Sequence, residues 1–245
     1  MALFAALAAG LLAAAFNLSV SENVVDRAVL SEGHTHGDDP GAAHVTSVGE
    51  PFTRGEQRGG MVAGEVLLGA GVGLILAGLA LVLGPRALPG RHRALWLALV
   101  GAGTWALLVL PAIKYTPLPP GVDAGMPIGQ RQAAYLALVG CGLLGALLAG
   151  RVLVRWPASL DRRLRWPAAL AGLALPAVLA IVLLPAQRAT GELDDGLMTS
   201  FRAAAIGSQV VFWLAFALVG AWLLRPRDEP ARPDGSRRVE RADVG

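Results

Sequence analysis

Residues 61–84 read Met-Val-Ala-Gly-Glu-Val-Leu-Leu-Gly-Ala-Gly-Val-Gly-Leu-Ile-Leu-Ala-Gly-Leu-Ala-Leu-Val-Leu-Gly, with Glu65 as the one ionisable side chain. A helix needs about 20 apolar residues to cross the core of a bilayer, and this run is long enough. Five further apolar segments are of similar length: Ala2–Val20, Ala94–Ile113, Ala133–Leu153, Ala168–Leu184 and Ala203–Leu224. The sequence therefore predicts an all-α fold, a polytopic membrane helix bundle with six transmembrane helices.

The basic residues predict how these segments are oriented. The regions after the second and fourth segments, together with Arg151 at the end of the fourth segment and the C-terminal tail, hold 14 of the 21 lysines and arginines. Short loops rich in arginine remain in the cytoplasm. We therefore expect both termini to be cytoplasmic, and the loops after the first, third and fifth segments to lie outside.

The first segment has an alternative interpretation as a secretory signal. Ala13, Ala14 and Ala15 offer small residues near a possible cleavage point, but the segment lacks the basic start that such signals carry. We expect the helix to be retained. Cleavage would leave five helices and would not change the side on which the C-terminus lies.

Composition limits the class of protein. Hydrophobic residues make up 54% of the 245 residues and charged residues 16%, which is typical of a membrane protein. We predict one transmembrane bundle over residues 1–225, with an external loop at 21–60, and a disordered cytoplasmic tail over 226–245. The predicted location is the cell inner (plasma) membrane, with multiple passes through membrane lipid. The basic residues lie in short loops without interleaved aromatics, which argues against nucleic-acid binding.

The external loop after the first segment contains a candidate metal site. Three of the four histidines fall within it, beside two aspartates. Imidazole and carboxylate together suit borderline divalent metals such as cobalt, nickel and zinc. The predicted ligands are His34, His36, His44, Asp38 and Asp39. The alternative is a solvated acidic loop whose histidines have no role in binding.

Three further carboxylates extend this hypothesis towards the membrane. Glu22 and Asp26 lie one helical turn apart just beyond the first segment, where they could concentrate cations. Their alternative role is to pair with arginines at the membrane surface: Arg27, Arg54, Arg58 or Arg131. Glu65 lies inside the second segment, and an ionisable group at membrane depth is a functional candidate by default.

Glycine spacing predicts how the second segment packs. Gly60-x3-Gly64 and Gly69-x3-Gly73 match the pattern that lets two helix backbones approach closely, and Gly142-x2-Gly145 in the fourth segment is a weaker version. Close helix packing is the interpretation we favour for all three.

Several sequence motifs that would indicate an enzyme are absent. The chain has no His-Glu-x-x-His, no glycine-rich phosphate loop with lysine and no Gly-x-Ser-x-Gly. We therefore expect neither catalysis nor ATP hydrolysis by this chain, and no cofactor.

The sequence resembles the CbtA family, predicted cobalt transporter subunits. The most specific stretch is residues 110–123, Leu-Pro-Ala-Ile-Lys-Tyr-Thr-Pro-Leu-Pro-Pro-Gly-Val-Asp, which continues to Arg131 and Tyr135. Glu22-x3-Asp26 and Phe212-Trp213 add to the resemblance. Thr116 and Leu118 depart from the proline and asparagine expected there. The resemblance implies cobalt as transported substrate, a link to cobalamin biosynthesis, and a small one-span membrane partner of the CbtB type with a histidine motif.

The leading hypothesis is therefore a membrane subunit of a divalent metal cation uptake transporter, with cobalt as the expected metal. Two alternatives remain: a membrane scaffold that does not transport but supports a partner subunit, and a carrier of an organic solute. A continuous polar route between helices would favour the first hypothesis, and a wide apolar cavity would favour the carrier.

Overall fold

Among the residues described by the computed structural model, six helices are long and apolar enough to span a membrane. The structure describes residues 1–24, 27, 53–87, 92–119, 122–188 and 195–225. In chain order the spans, called spans 1 to 6 below, are Ala2–Val24, Gly55–Val82, His92–Lys114, Ile128–Val154, Arg162–Leu183 and Asp195–Leu223. The structure is 85% helical, with no strand among the described residues. The predicted all-α class and the six spans are confirmed, while the side of the membrane on which the termini lie stays a prediction.

Two spans change their helical geometry part-way. Span 1 is an α-helix over Ala2–Phe16 and continues as a π-helical turn over Asn17–Ser21. Span 3 is an α-helix over His92–Thr104, a π-helical turn over Trp105–Val109 and a short α-helix over Leu110–Lys114. Pro111 is the second residue after this π turn. Its ring would clash with a carbonyl one turn earlier in a regular α-helix, so the wider turn accommodates it.

The remaining spans are more regular. Span 2 belongs to a helix over Arg54–Ala87, and span 4 is a helix over Ile128–Val154. Span 5 begins with a 3-10 turn, Arg162–Leu164, and continues as the α-helix Arg165–Leu183; span 6 is the helix Asp195–Leu223.

The spans form two groups joined by span 3. Span 1 packs along spans 2 and 6, while span 4 packs along span 5. Span 3 contacts helices of both groups. An aromatic cluster fills the junction between spans 3 and 6, where the rings of Trp96 and Phe216 lie 4.7 Å apart at 72°. The Trp96 ring packs directly on Gly220, because a Cβ added to Gly220 would lie 2.2 Å from that ring.

Glycines allow the closest helix contacts. A Cβ on Gly69 would lie 2.7 Å from the carbonyl oxygen of Ala6, and one on Gly73 would lie 2.5 Å from the Cβ of Ala6. The predicted close packing at this pair is confirmed. The same prediction for Gly60 and Gly64 is wrong, since a Cβ on either would meet no described atom within 4 Å. Both lie on the part of span 2 that faces away from the bundle.

The weaker glycine pattern in span 4 is also confirmed as a packing device. A Cβ on Gly142 would lie 2.9 Å from the Cα of Ala106 in span 3, and one on Gly145 would lie 2.5 Å from the carbonyl oxygen of Leu173 in span 5. Span 4 is therefore held closely against two neighbours at once.

Side chains also link the connections after spans 3 and 5 at the predicted outer end of the bundle, the end that carries Ser21, Lys114 and Leu184. The Lys114 Nζ donates to the carbonyl oxygen of Ile181 at 2.7 Å, and the Tyr115 hydroxyl donates to that of Pro185 at 3.0 Å. Burial raises the pKa of the Tyr115 hydroxyl, which is protonated at neutral pH even at its ordinary value. These bonds tie the end of span 3 to the end of span 5.

Candidate cation site

The described polar site lies where span 1 meets span 2. The Asn17 Nδ2 donates a hydrogen bond to the Glu65 Oε1 at 2.9 Å. The Ser21 Oγ donates to the Asn17 Oδ1 at 2.8 Å, which extends the network by one turn. Asn17 is 8% exposed and Glu65 is half-buried. A carboxylate, an amide and a hydroxyl therefore form one connected group between two spans.

The backbone explains why these side chains meet. Gly10 lies against span 2, because a Cβ there would be 2.9 Å from the carbonyl oxygen of Glu65 and 3.2 Å from the Cα of Val66. This close approach brings the end of span 1 within reach of the Glu65 side chain. Side chains in helices point towards the N-terminus, so Glu65 extends along span 2 in the direction of Asn17.

The π-helical turn of span 1 begins at Asn17 and ends at Ser21. Such turns are rare and frequently occur at functional sites. The hydroxyl of Ser19 donates to the carbonyl of Ala15, one of the backbone acceptors near this turn. The irregular backbone and the polar side chains thus fall on the same five residues.

A second polar contact lies further along the same two helices. The Arg58 Nε lies 2.8 Å from the Glu22 Oε2 and donates to it. The Glu22 side chain is 12% exposed and the Arg58 side chain 48%. This is the surface ion pair that the sequence offered as the alternative role of Glu22. The part that Glu22 plays in gathering cations stays a prediction.

The other predicted ligands lie outside the described residues. They are Asp26, His34, His36, Asp38, Asp39 and His44. Within the ranges that the structure describes, no group of three or more His, Cys, Asp and Glu side chains could hold a metal ion. The structure thus brings together Glu65 with Asn17 and Ser21, and separately Glu22 with Arg58.

Sequence reasoning singled out Glu65 but missed its two partners. Asn17 and Ser21 are four residues apart, so they lie on one face of span 1, and both are polar at the end of an apolar run. That spacing was the available signal. It does not reveal the partner helix, because Glu65 is 48 residues further along the chain.

The oxygens of this network could contact a cation. A carboxylate, an amide carbonyl and a hydroxyl are hard oxygen donors of the kind that bind divalent cations alongside water. Three side chains do not complete a coordination shell. A cation held by these oxygens alone would therefore keep part of its hydration.

The family of the chain follows from comparison with known proteins. The family model described as "Probable cobalt transporter subunit (CbtA)" matches residues 1–225. The chain belongs to the CbtA family. No curated protein and no solved structure matches it.

The residues matched by the CbtA family model include all six spans and the residues of the Glu65 network. This match supports the assignment of the chain as a probable cobalt transporter subunit, and a subunit implies that other subunits exist. Six apolar helices and a CbtA match together indicate a multi-pass membrane protein.

Proposed function

We propose that this chain is the membrane-embedded subunit of a divalent-cation uptake system, with cobalt as its substrate, and that Glu65 and Asn17 form the site through which the ion enters the bundle. The contact between Asn17 and Glu65 inside the spans carries the proposal. A carboxylate at that depth costs free energy unless it has a function or a partner. Here its amide partner is itself a possible ligand.

The proposed route has two stages. The loop with His34, His36 and His44 gathers the ion on the outer side of the plasma membrane, since imidazoles bind cobalt well. The oxygen donors of Ser21, Asn17 and Glu65 bind it more weakly, so the ion can leave. Conduction needs sites of this kind, favourable enough to enter and weak enough to release.

The membrane potential supplies a driving force for inward movement. A potential of 100 mV contributes about 2.3 kcal/mol per elementary charge, and a divalent ion carries two. We further propose that a small one-span subunit of the CbtB type completes the transporter, and that the imported cobalt serves cobalamin biosynthesis.

Uptake of radiolabelled cobalt by cells that express the chain tests the proposal. Glu65→Gln removes the charge with little change in size, and we expect uptake at low external cobalt to fall at least tenfold. Glu56→Gln is the matched control. Glu56 lies on the same helix, is exposed and forms a capping box with Thr53, which glutamine can also form.

Two results would count against the proposal. Uptake by Glu65→Gln equal to that of Glu56→Gln would remove Glu65 from the route. Replacement of His34, His36 and His44 by alanine tests the capture loop separately, since we expect it to raise the external cobalt concentration needed for half-maximal uptake. Unchanged concentration dependence would remove the loop and leave the Glu65 site in place.

A further inference from the structure

Two adjoining cavities lie at the predicted outer end of the bundle, and no residue of the Asn17–Glu65 network lines either of them. The outer cavity, of about 480 Å³, is bordered by Arg131, Gln132 and Gln187. The inner cavity, of about 280 Å³, reaches Gln209 and Trp213. Both are lined by Tyr115, Pro117 and Tyr135. The cavities therefore form a path from the exposed end of span 4 to the face of span 6.

The inner cavity lies between several spans. Its walls come from spans 2, 3, 4 and 6, so it lies at the seam between the two groups of spans. Most of the wall is apolar, with aliphatic side chains from spans 2 and 3 and the ring of Phe212. The aliphatic side chains are those of Leu68, Val72, Leu107 and Leu108. Sites for small molecules occur between helices of bundles and are mostly apolar with a few polar groups.

Polar groups are present at both ends of this path. Trp213 is 4% exposed, and its Nε1 has no hydrogen-bond partner among the described residues. A buried donor without a partner is unusual, because its desolvation is not compensated. Gln209 lies one turn away on the same face of span 6 and lines the same cavity. The Trp213 Nε1 is itself enclosed by protein atoms, so the Gln209 amide is a polar group that a ligand in the inner cavity can reach.

Charge decides the class of ligand. Among the described residues that line the two cavities, Arg131 carries the only formal charge. Like charges repel, so this path disfavours a divalent cation, whereas an arginine guanidinium binds carboxylates in a bidentate manner. In the part of the chain that the structure describes, Arg131 has no ion-pair partner.

We propose that these cavities bind a small organic carboxylate with an apolar body, whose carboxylate group pairs with Arg131 while the body occupies the inner cavity. The volume of about 280 Å³ is close to the lower end of the range for small-molecule sites, roughly 300–1,000 Å³. Such a ligand contacts both groups of spans. None of Asn17, Ser21 and Glu65 lines these cavities, so neither proposal depends on the other.

Titration calorimetry on the full-length chain in lipid nanodiscs tests this site. The probes are 4-phenylbutanoate and 4-phenylbutylamine, which share an apolar body and carry opposite charges; signals from nanodiscs without protein are subtracted. We expect saturable binding of the acid, about tenfold tighter than that of the amine, as one charge-assisted hydrogen bond at a partly exposed arginine would give.

Two variants and one control variant identify the contacts. Arg131→Gln is expected to reduce the preference for the acid to within about twofold, while Arg151→Gln, at the other end of the same helix, is expected to retain it. Ala205→Leu narrows the inner cavity and is expected to weaken both probes. Equal affinity of the unmodified chain for acid and amine, an absence of saturable binding, or an acid preference that survives Arg131→Gln would each overturn the proposal.

Discussion

Two polar contacts join span 1 to span 2, and they differ in depth and in kind. The Asn17–Glu65 contact is buried on its amide side and pairs a carboxylate with a neutral group. The Glu22–Arg58 contact pairs opposite charges, and almost half of the arginine side chain is exposed. The second contact neutralises its carboxylate, whereas the first leaves the charge of Glu65 without a cationic partner among the described residues.

This difference indicates which contact can act on an ion. An arginine beside a carboxylate competes with a metal cation for it, so Glu22 binds an ion only if Arg58 moves away. An amide competes less strongly, because its hydrogen bond can be exchanged for coordination by its own oxygen. The deeper contact is therefore the better candidate for a transit site, and the outer contact is the better candidate for a structural link.

The largest expected effect comes from separating the two helices beneath the inner contact. In Gly10→Val, the new side chain would overlap the backbone of Glu65 and Val66. Backbone cannot move aside as a flexible side chain can, so we expect destabilisation of about 1–3 kcal/mol and a large loss of cobalt uptake. The thermal midpoint of the purified chain and uptake in cells measure the two effects.

Gly71→Val is the matched control for this variant. Gly71 lies on span 2 with nothing within 4 Å of its would-be Cβ, so the same residue is introduced into a helix without a clash. Equal thermal midpoints for the two variants would show that the close approach at Gly10 does not hold the inner contact together.

A smaller loss of uptake is expected from removing the amide alone. Asn17→Ala leaves the half-buried Glu65 carboxylate without its hydrogen bond, which costs about 1–3 kcal/mol when a polar group stays unsatisfied. If the amide oxygen also contacts the ion, uptake falls by about tenfold beyond any change in expression. Asn23→Ala is the control, because the Asn23 side chain is exposed and, among the described residues, donates to the Ser19 carbonyl of its own helix. Similar uptake by the two variants would contradict a role for Asn17 in transport.

The spans themselves could be predicted from sequence because their information is local. Each is a run of apolar residues long enough to cross a bilayer, and each was found as a helix. Packing depends on which face meets which neighbour. Gly60 and Gly64 have the same spacing as Gly69 and Gly73, yet only the second pair contacts span 1. Spacing reveals that close contact is possible and does not reveal where the neighbouring helix lies.

The candidate site could also be predicted only in part from the sequence. Glu65 stands out in sequence because a single carboxylate interrupts an apolar run. Its partnership with Asn17 depends on the register between two helices, and Gly10 sets that register through contact with the backbone of span 2. No periodicity in the chain encodes a contact of this kind. The pair Glu22 and Arg58 was foreseen as one of several possible pairings, since charge alone left the choice among arginines open.

The smallest expected effect is at the outer contact. A double-mutant cycle with Glu22→Gln and Arg58→Gln measures the coupling free energy of the pair from the unfolding of the single and double variants. Exposed ion pairs contribute roughly 0.2–1 kcal/mol and are screened by salt, so we expect a coupling below about 1 kcal/mol that decreases further at 1 M salt. Cobalt uptake by Glu22→Gln should stay within about twofold of the unmodified chain if the pair is structural. A tenfold loss of uptake, equal to that expected for Glu65→Gln, would instead place Glu22 on the ion route and remove the functional distinction between the two contacts.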